Sequence, residues 1–117
     1  MFAMVDLIGN SKTTVNTYAI GQIASAGVDL FLSGNKRYVF KNTEVMIHAC
    51  SGGSSGMVQD IVEHTKHMEY IQLRLDEYIL SKTKIELKKL MEIREKKQNW
   101  YITVDECIEL GIATEIL

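Results

Sequence analysis

Apolar residues recur most regularly between Met57 and about Ser81, where Met57, Ile61, His64, Met68, Ile71, Leu75 and Tyr78 fall on one stripe at helical spacing. Val62, Leu73 and Leu80 lie outside that stripe. A monomer can cover one stripe of a long helix with its own sheet, so the additional apolar positions predict packing against another subunit. Upstream, Phe2, Met4, Val5, Leu7 and Ile8 predict a short opening helix that stops at Gly9-Asn10. The run "TVNTYAIG" alternates, is rich in β-branched and aromatic residues, and predicts a strand of about six residues running into Gly21, with Ser25 just beyond its end.

The remaining pattern alternates in the same way. "ASAGVDLFLSG" predicts a helix closed by Gly34, and "KRYVF" and "EVMIHA" predict two strands separated by "KNT". "CSGGSSG" supplies turn chemistry directly after His48. A charged helix follows at about 83–97, then "WYIT" as a strand, "VDECIELG" as a helix ended by Gly111, and "IATEIL" as a closing strand or tail. Helices alternating with short apolar strands predict an α/β layered fold with a mostly parallel sheet. No repeat, low-complexity tract or long linker divides the chain, so residues 1–117 are expected to form a single domain.

Composition narrows the function classes. The chain has 46% hydrophobic and 24% charged residues, and 13 Lys plus Arg stand against 15 Asp plus Glu. That balance gives no electrostatic basis for binding nucleic acid or a membrane surface. No apolar run approaches the ~20 residues needed to cross a bilayer, and "MFAMVDLIGN" lacks the basic start of a secretory signal, which together predict a cytoplasmic protein. Cys50 and Cys107 have neither CxxC nor metal-ligand spacing and are expected to be free thiols. Glu63, His64 and His67 are close together on the long helix, but no fourth ligand is apparent, so a packed His and a solvated His are expected there rather than a metal site. "KIELKKLMEIREKK" intersperses acids with bases, as a solvated face does, and Trp100 and Tyr101 are expected in a strand core.

Two residues carry candidate chemistry. A serine at a strand-to-helix turn exposes its hydroxyl beside free backbone N–H groups, which suits a nucleophile and its oxyanion hole. Ala24, Ala26 and Gly27 around Ser25 leave room for close approach of a substrate, although a serine in that position also serves as a helix cap. His48 ends an apolar strand, where it is either a hydrogen-bonded core residue or a general base. Cys50, two residues after His48, is a second candidate nucleophile, and the choice between it and Ser25 rests on a family resemblance, which sets Ser25 at the base.

The segments "TVNTYAIGQIASAG", "EVMIHACSGGSSG" and "DIVEH", with the ending "WYITVDECIELGIATEIL", resemble the proteolytic subunit of the Clp protease, the ClpP family of serine peptidases. The likeness runs nearly end to end, and Gly34 with Lys36-Arg37 resembles a shortened form of a turn in that family. It implies a ClpP/crotonase-like layered fold in which residues of about 49–81 form a "handle" leading into and including the long helix. It also implies Ser25 as nucleophile, His48 as general base, the N–H of Ala26 as an oxyanion donor, and Ser51, Gly52 and Gly53 alongside an extended substrate. The implied substrate is unfolded polypeptide. The implied partners are ClpP-like subunits in a homo- or hetero-oligomeric ring and an AAA+ unfoldase that consumes the ATP, with no metal or organic cofactor in the subunit itself.

Two departures from the family pattern stand out. Asn99 occupies the position of the triad's acid, and Asp→Asn in a serine triad costs roughly 10⁴-fold. Asp105 and Glu95 are the nearby acids that remain as substitutes. The family's N-terminal third, which carries the first strands, the pore loops and a Gly-Gly turn that donates to the oxyanion, has no counterpart before Met1, and loss of one such donor costs about 10²–10³-fold. These departures motivate an alternative, a catalytically weak or inactive ClpP-like structural or regulatory subunit. A crotonase-type acyl-CoA binder, which needs no Ser-His pair, is a third reading.

Overall fold

The computed structural model describes residues 1–117. Its elements are α1 (Phe2–Gly9), β1 (Thr17–Ala19), β2 (Gln22–Ala24), α2 (Ala26–Leu32), β3 (Arg37–Val39), β4 (Glu44–Ile47), α3 (Val58–Lys82), α4 (Leu87–Lys96), β5 (Trp100–Ile102), α5 (Val104–Glu109) and β6 (Glu115–Ile116). The expected alternation holds, and so does the α/β class.

The sheet is divided where a single one was expected. Strands β1-β3-β6 form one three-stranded sheet and β2-β4-β5 a second; every pairing is parallel except β4 with β5. The division comes at the end of the stretch read as one strand, where Gly21 takes φ +76, a conformation that disfavours a Cβ, and turns the chain from β1 into a further strand, β2. Ser25 therefore follows β2 rather than β1.

One hydrophobic cluster spans both sheets. Ala19, Val39 and Ile112 from the first side meet Val45, Ile47 and Ile102 from the second, with Val28, Phe31 and Leu32 of α2 packed among them. Helix α2 comes unusually close to β1: a Cβ on Gly34 would lie 2.3 Å from the Thr17 hydroxyl oxygen, which donates a 2.6 Å hydrogen bond to the Phe31 carbonyl. Arg37 ties the far ends of the elements together, its guanidinium donating to the carbonyls of Leu32, Lys82, Gly111 and Ile112. Helices leave their last carbonyls unpaired, and one planar donor fork meets several of them here.

Helix α3 is only partly covered. Its buried residues, Asp76 and Ile79, lie in the C-terminal third, and Met68, Ile71, Leu75 and Tyr78 of the expected stripe are half-buried. Met57 and Ile61 of that stripe are exposed, together with Val58, Val62, Tyr70 and Leu73. Tyr101 is exposed as well, contrary to expectation, because the alternation along β5 turns Ile102 inward and Tyr101 outward. No helix is long and apolar enough to cross a membrane.

Candidate active site

Parallel pairing places the two candidate residues on one rim. Strands β2 and β4 run side by side with Ala24 opposite Met46, so the chain leaves both strands at the same C-terminal edge, as Ser25 after β2 and His48 two residues beyond Met46. Crevices at the carboxyl ends of parallel strands are where α/β sheets hold ligands. Strand β5 comes back antiparallel to β4 with Ile47 opposite Trp100, and continuing that register by one residue sets Asn99 opposite His48.

Ser25 does not behave as a simple cap. It adopts φ 53 and ψ −125, one of two positive φ angles among non-glycine residues, and its side chain makes no capping hydrogen bond. A non-glycine residue held there costs on the order of 1–3 kcal/mol, and such strain concentrates at functional sites. Main-chain bonds fix the turn: the Ser25 N–H donates to the Met46 carbonyl at 3.2 Å, and the Ser25 carbonyl accepts from the Val28 N–H at 3.0 Å. The hydroxyl is left free at the end of the strand. Ala26, the first residue of α2, has an N–H with no acceptor inside the helix.

Ser25, Ala26, His48, Cys50 and Ser51 line one cavity of about 230 Å³, together with residues of α2, α3 and α4. Gly52 and Gly53 are outside its lining; residues 51–55 have no regular structure and are exposed, so the extended pairing partner expected of this segment is irregular chain. Asn99 is exposed, is not part of the lining, and shares no hydrogen bond with His48. Asp105 and Glu95 are exposed on α5 and α4 and do not line the cavity either.

Several polar residues at the site were not anticipated. The Cys50 N–H donates to Gln72 Oε1 at 2.6 Å, Gln72 Nε2 donates to Asp76 Oδ1 at 2.8 Å, and Arg94 forms a salt bridge with the other oxygen of Asp76. This relay holds the chain just after His48 against α3 and α4. Asp29, one helical turn after Ser25, also lines the cavity, and burial pushes its carboxyl up to about 7. The signal available in the sequence for Asp29 was a lone acid inside the apolar run "GVDLFL"; Asp76, beside Glu77 and close to Arg74 in "LRLDEYIL", carried none. Both cysteines are free, and burial, with a smaller push from Glu106, raises the Cys107 thiol to about 11. No three His, Cys, Asp or Glu side chains are placed to hold a metal ion.

Known proteins are similar to this chain in sequence and in fold. The "ATP-dependent Clp protease proteolytic subunit 2" of Treponema pallidum (strain Nichols) is 28% identical over 118 residues, a match covering 99% of this chain and 58% of that protein. An asparagine-to-aspartate mutant of ClpP1 from Listeria monocytogenes superposes with a TM-score of 0.84 at 25% identity, over 99% of this chain and 64% of that one. The chain thus spans less than two thirds of either relative. The family model described as Clp protease matches residues 1–117, the whole of the sequence that builds the Ser25–His48 rim, and the chain belongs to the Clp protease family.

Proposed function

We propose that this chain is a serine peptidase subunit that hydrolyses peptide bonds of unfolded polypeptides within a ring of ClpP-like subunits. The observation that carries this reading is the strained turn at Ser25, which leaves a free hydroxyl at the rim where His48 also ends its strand. In this mechanism His48 takes the Ser25 proton as the oxygen attacks the scissile carbonyl, and the Ala26 N–H stabilises the resulting oxyanion. The proton then passes from His48 to the leaving amine, and water repeats the sequence on the acyl-enzyme. Asn99 is opposite His48 in the continued register; an amide there can orient an imidazole through its oxygen once the Asn99 side chain turns to it, but brings no negative charge. Ser51, with Gly52 and Gly53, lies along the substrate chain, where main-chain contacts tolerate varied sequences. An AAA+ unfoldase in the cytoplasm feeds the ring and consumes the ATP.

The experiment is hydrolysis of a fluorogenic peptide by the purified chain, alone and mixed with a full-length ClpP-like subunit. Turnover that disappears in Ser25→Ala and rises in Asn99→Asp, by a factor of up to about 10⁴, supports the reading. Turnover indifferent to Ser25→Ala contradicts it. Asn99, exposed and without a bond to His48, also favours a second reading, a non-catalytic subunit of mixed rings. That reading predicts co-assembly with the full-length subunit and no hydrolysis from this chain in either setting.

A further inference from the structure

The cavity beside Ser25 contains an acid that the proposed chemistry does not use. Asp29 lines the cavity, is 6% exposed, and forms neither a hydrogen bond nor an ion pair. The other ionic side chains facing the same space compensate one another: Asp76 is held by Arg94. Met1 lines the cavity as well, and no ion pair joins it to Asp29. The Asp29 carboxyl is therefore left without an ion-pair or hydrogen-bond partner.

The walls around it are apolar, formed by Val28, Ile47, Leu75, Ile79, Leu90 and Ile93. Stripping water from an unpaired carboxylate is costly, and burial accordingly holds the Asp29 carboxyl up at about 7. A long basic side chain would relieve it. Its aliphatic stem would lie along the apolar walls and its head would form a charge-assisted hydrogen bond with the acid. The volume of about 230 Å³ corresponds to about eight waters at roughly 30 Å³ each, room for a side chain of arginine length.

We propose that this cavity receives the side chain on the acyl side of the scissile bond, and that Asp29 makes it selective for lysine or arginine. The proposal deepens the serine peptidase reading and rests on Ser25 being the nucleophile. The same chemical logic, an acid within a pocket next to the nucleophile, gives trypsin its preference for basic residues. A neutral hydrogen-bonding side chain would leave the charge uncompensated, and an aliphatic one would bury it further.

Two measurements on the full chain separate this proposal from the reading beneath it. The first is calorimetric binding of N-acetyl-arginine methylamide against N-acetyl-norleucine methylamide, which needs no catalysis. The arginine ligand should bind about tenfold more tightly or better, and the ratio should collapse towards one in Asp29→Asn and in Asp29→Ser. The second is the rate of Ser25 modification by peptidyl diphenyl phosphonates bearing arginine or leucine next to phosphorus, with a simple fluorophosphonate for comparison. An arginine preference that disappears in the same variants supports the proposal. Equal or inverted preference in the unaltered protein overturns it, and so does a loss in Asp29→Asn that is the same for both phosphonates, which would place Asp29's effect on His48 instead. Arginine binding without any modification of Ser25 would keep the pocket and remove the peptidase reading.

Discussion

Ser25 and Asp29 lie one helical turn apart, yet the sequence discloses them unequally. Ser25 is legible because small residues surround it at the junction of a strand pattern and a helix pattern, and His48 because it ends an apolar strand. Asp29 is not, since a single polar residue in an apolar run looks alike whether it faces water, a partner or an empty cavity. Its position has a measurable consequence. The carboxyl titrates near 7 in the fold and near 3.8 once unfolding exposes it, so between those values the folded chain retains a proton that the unfolded chain has lost. Stability therefore falls as the pH rises across that window and levels off above it. In urea denaturation followed from about pH 4 to about pH 8, Asp29→Asn should show a distinctly shallower fall than the unaltered chain.

Among the elements, the helices were more readable than the strands. Helix α3 was expected from Met57 to about Ser81 and spans Val58–Lys82, because its long period and its flanking turn residues agree. "TVNTYAIG" offered no comparable signal: its alternation ends at Gly21 in the same way whether the strand stops there or bends at a positive-φ glycine and continues in another sheet. The role of Arg37 was hidden for a related reason, as three of its four carbonyl partners, those of Lys82, Gly111 and Ile112, come from segments distant in sequence, and only Leu32 is near. Arg37→Ala leaves these carbonyls without their donor and should lower stability by about 3 kcal/mol or more, given about 1.5–3 kcal/mol for a bond to a charged group. Arg37→Lys should recover only part of that loss, since an ammonium lacks the planar fork. Chemical denaturation midpoints of the two variants provide the comparison.

For the whole molecule, the radius of gyration is 15.4 Å, against about 13 Å for a compact domain of this length, and the longest dimension is 50 Å. The excess fits a long helix that is covered only towards its C-terminal end, with Met57, Val58, Ile61 and Val62 exposed along the other. Helix α1 has no buried residue and exposes Met4 and Leu7. Of these α3 residues only Val62 was expected outside the covered stripe; Met57 and Ile61 belong to the stripe itself, and the sequence alone could not indicate that this end of it would lack cover. Replacing Ile61 and Val62 with Asp should lower the mass measured by light scattering, for the chain alone or mixed with a full-length subunit, while far-ultraviolet circular dichroism is retained. An unchanged mass would mean that this end of α3 does not mediate assembly.

The central claim is that Ser25 and His48 act as one unit at the shared edge of β2 and β4. Its most direct test is peptide-mapping mass spectrometry after treatment with a fluorophosphonate, with the chain alone and assembled with a full-length subunit. The account predicts an adduct on Ser25 that forms at least about 100-fold more slowly in His48→Ala. An adduct on another residue, no adduct in either setting, or labelling of Ser25 at the same rate without the imidazole would contradict it.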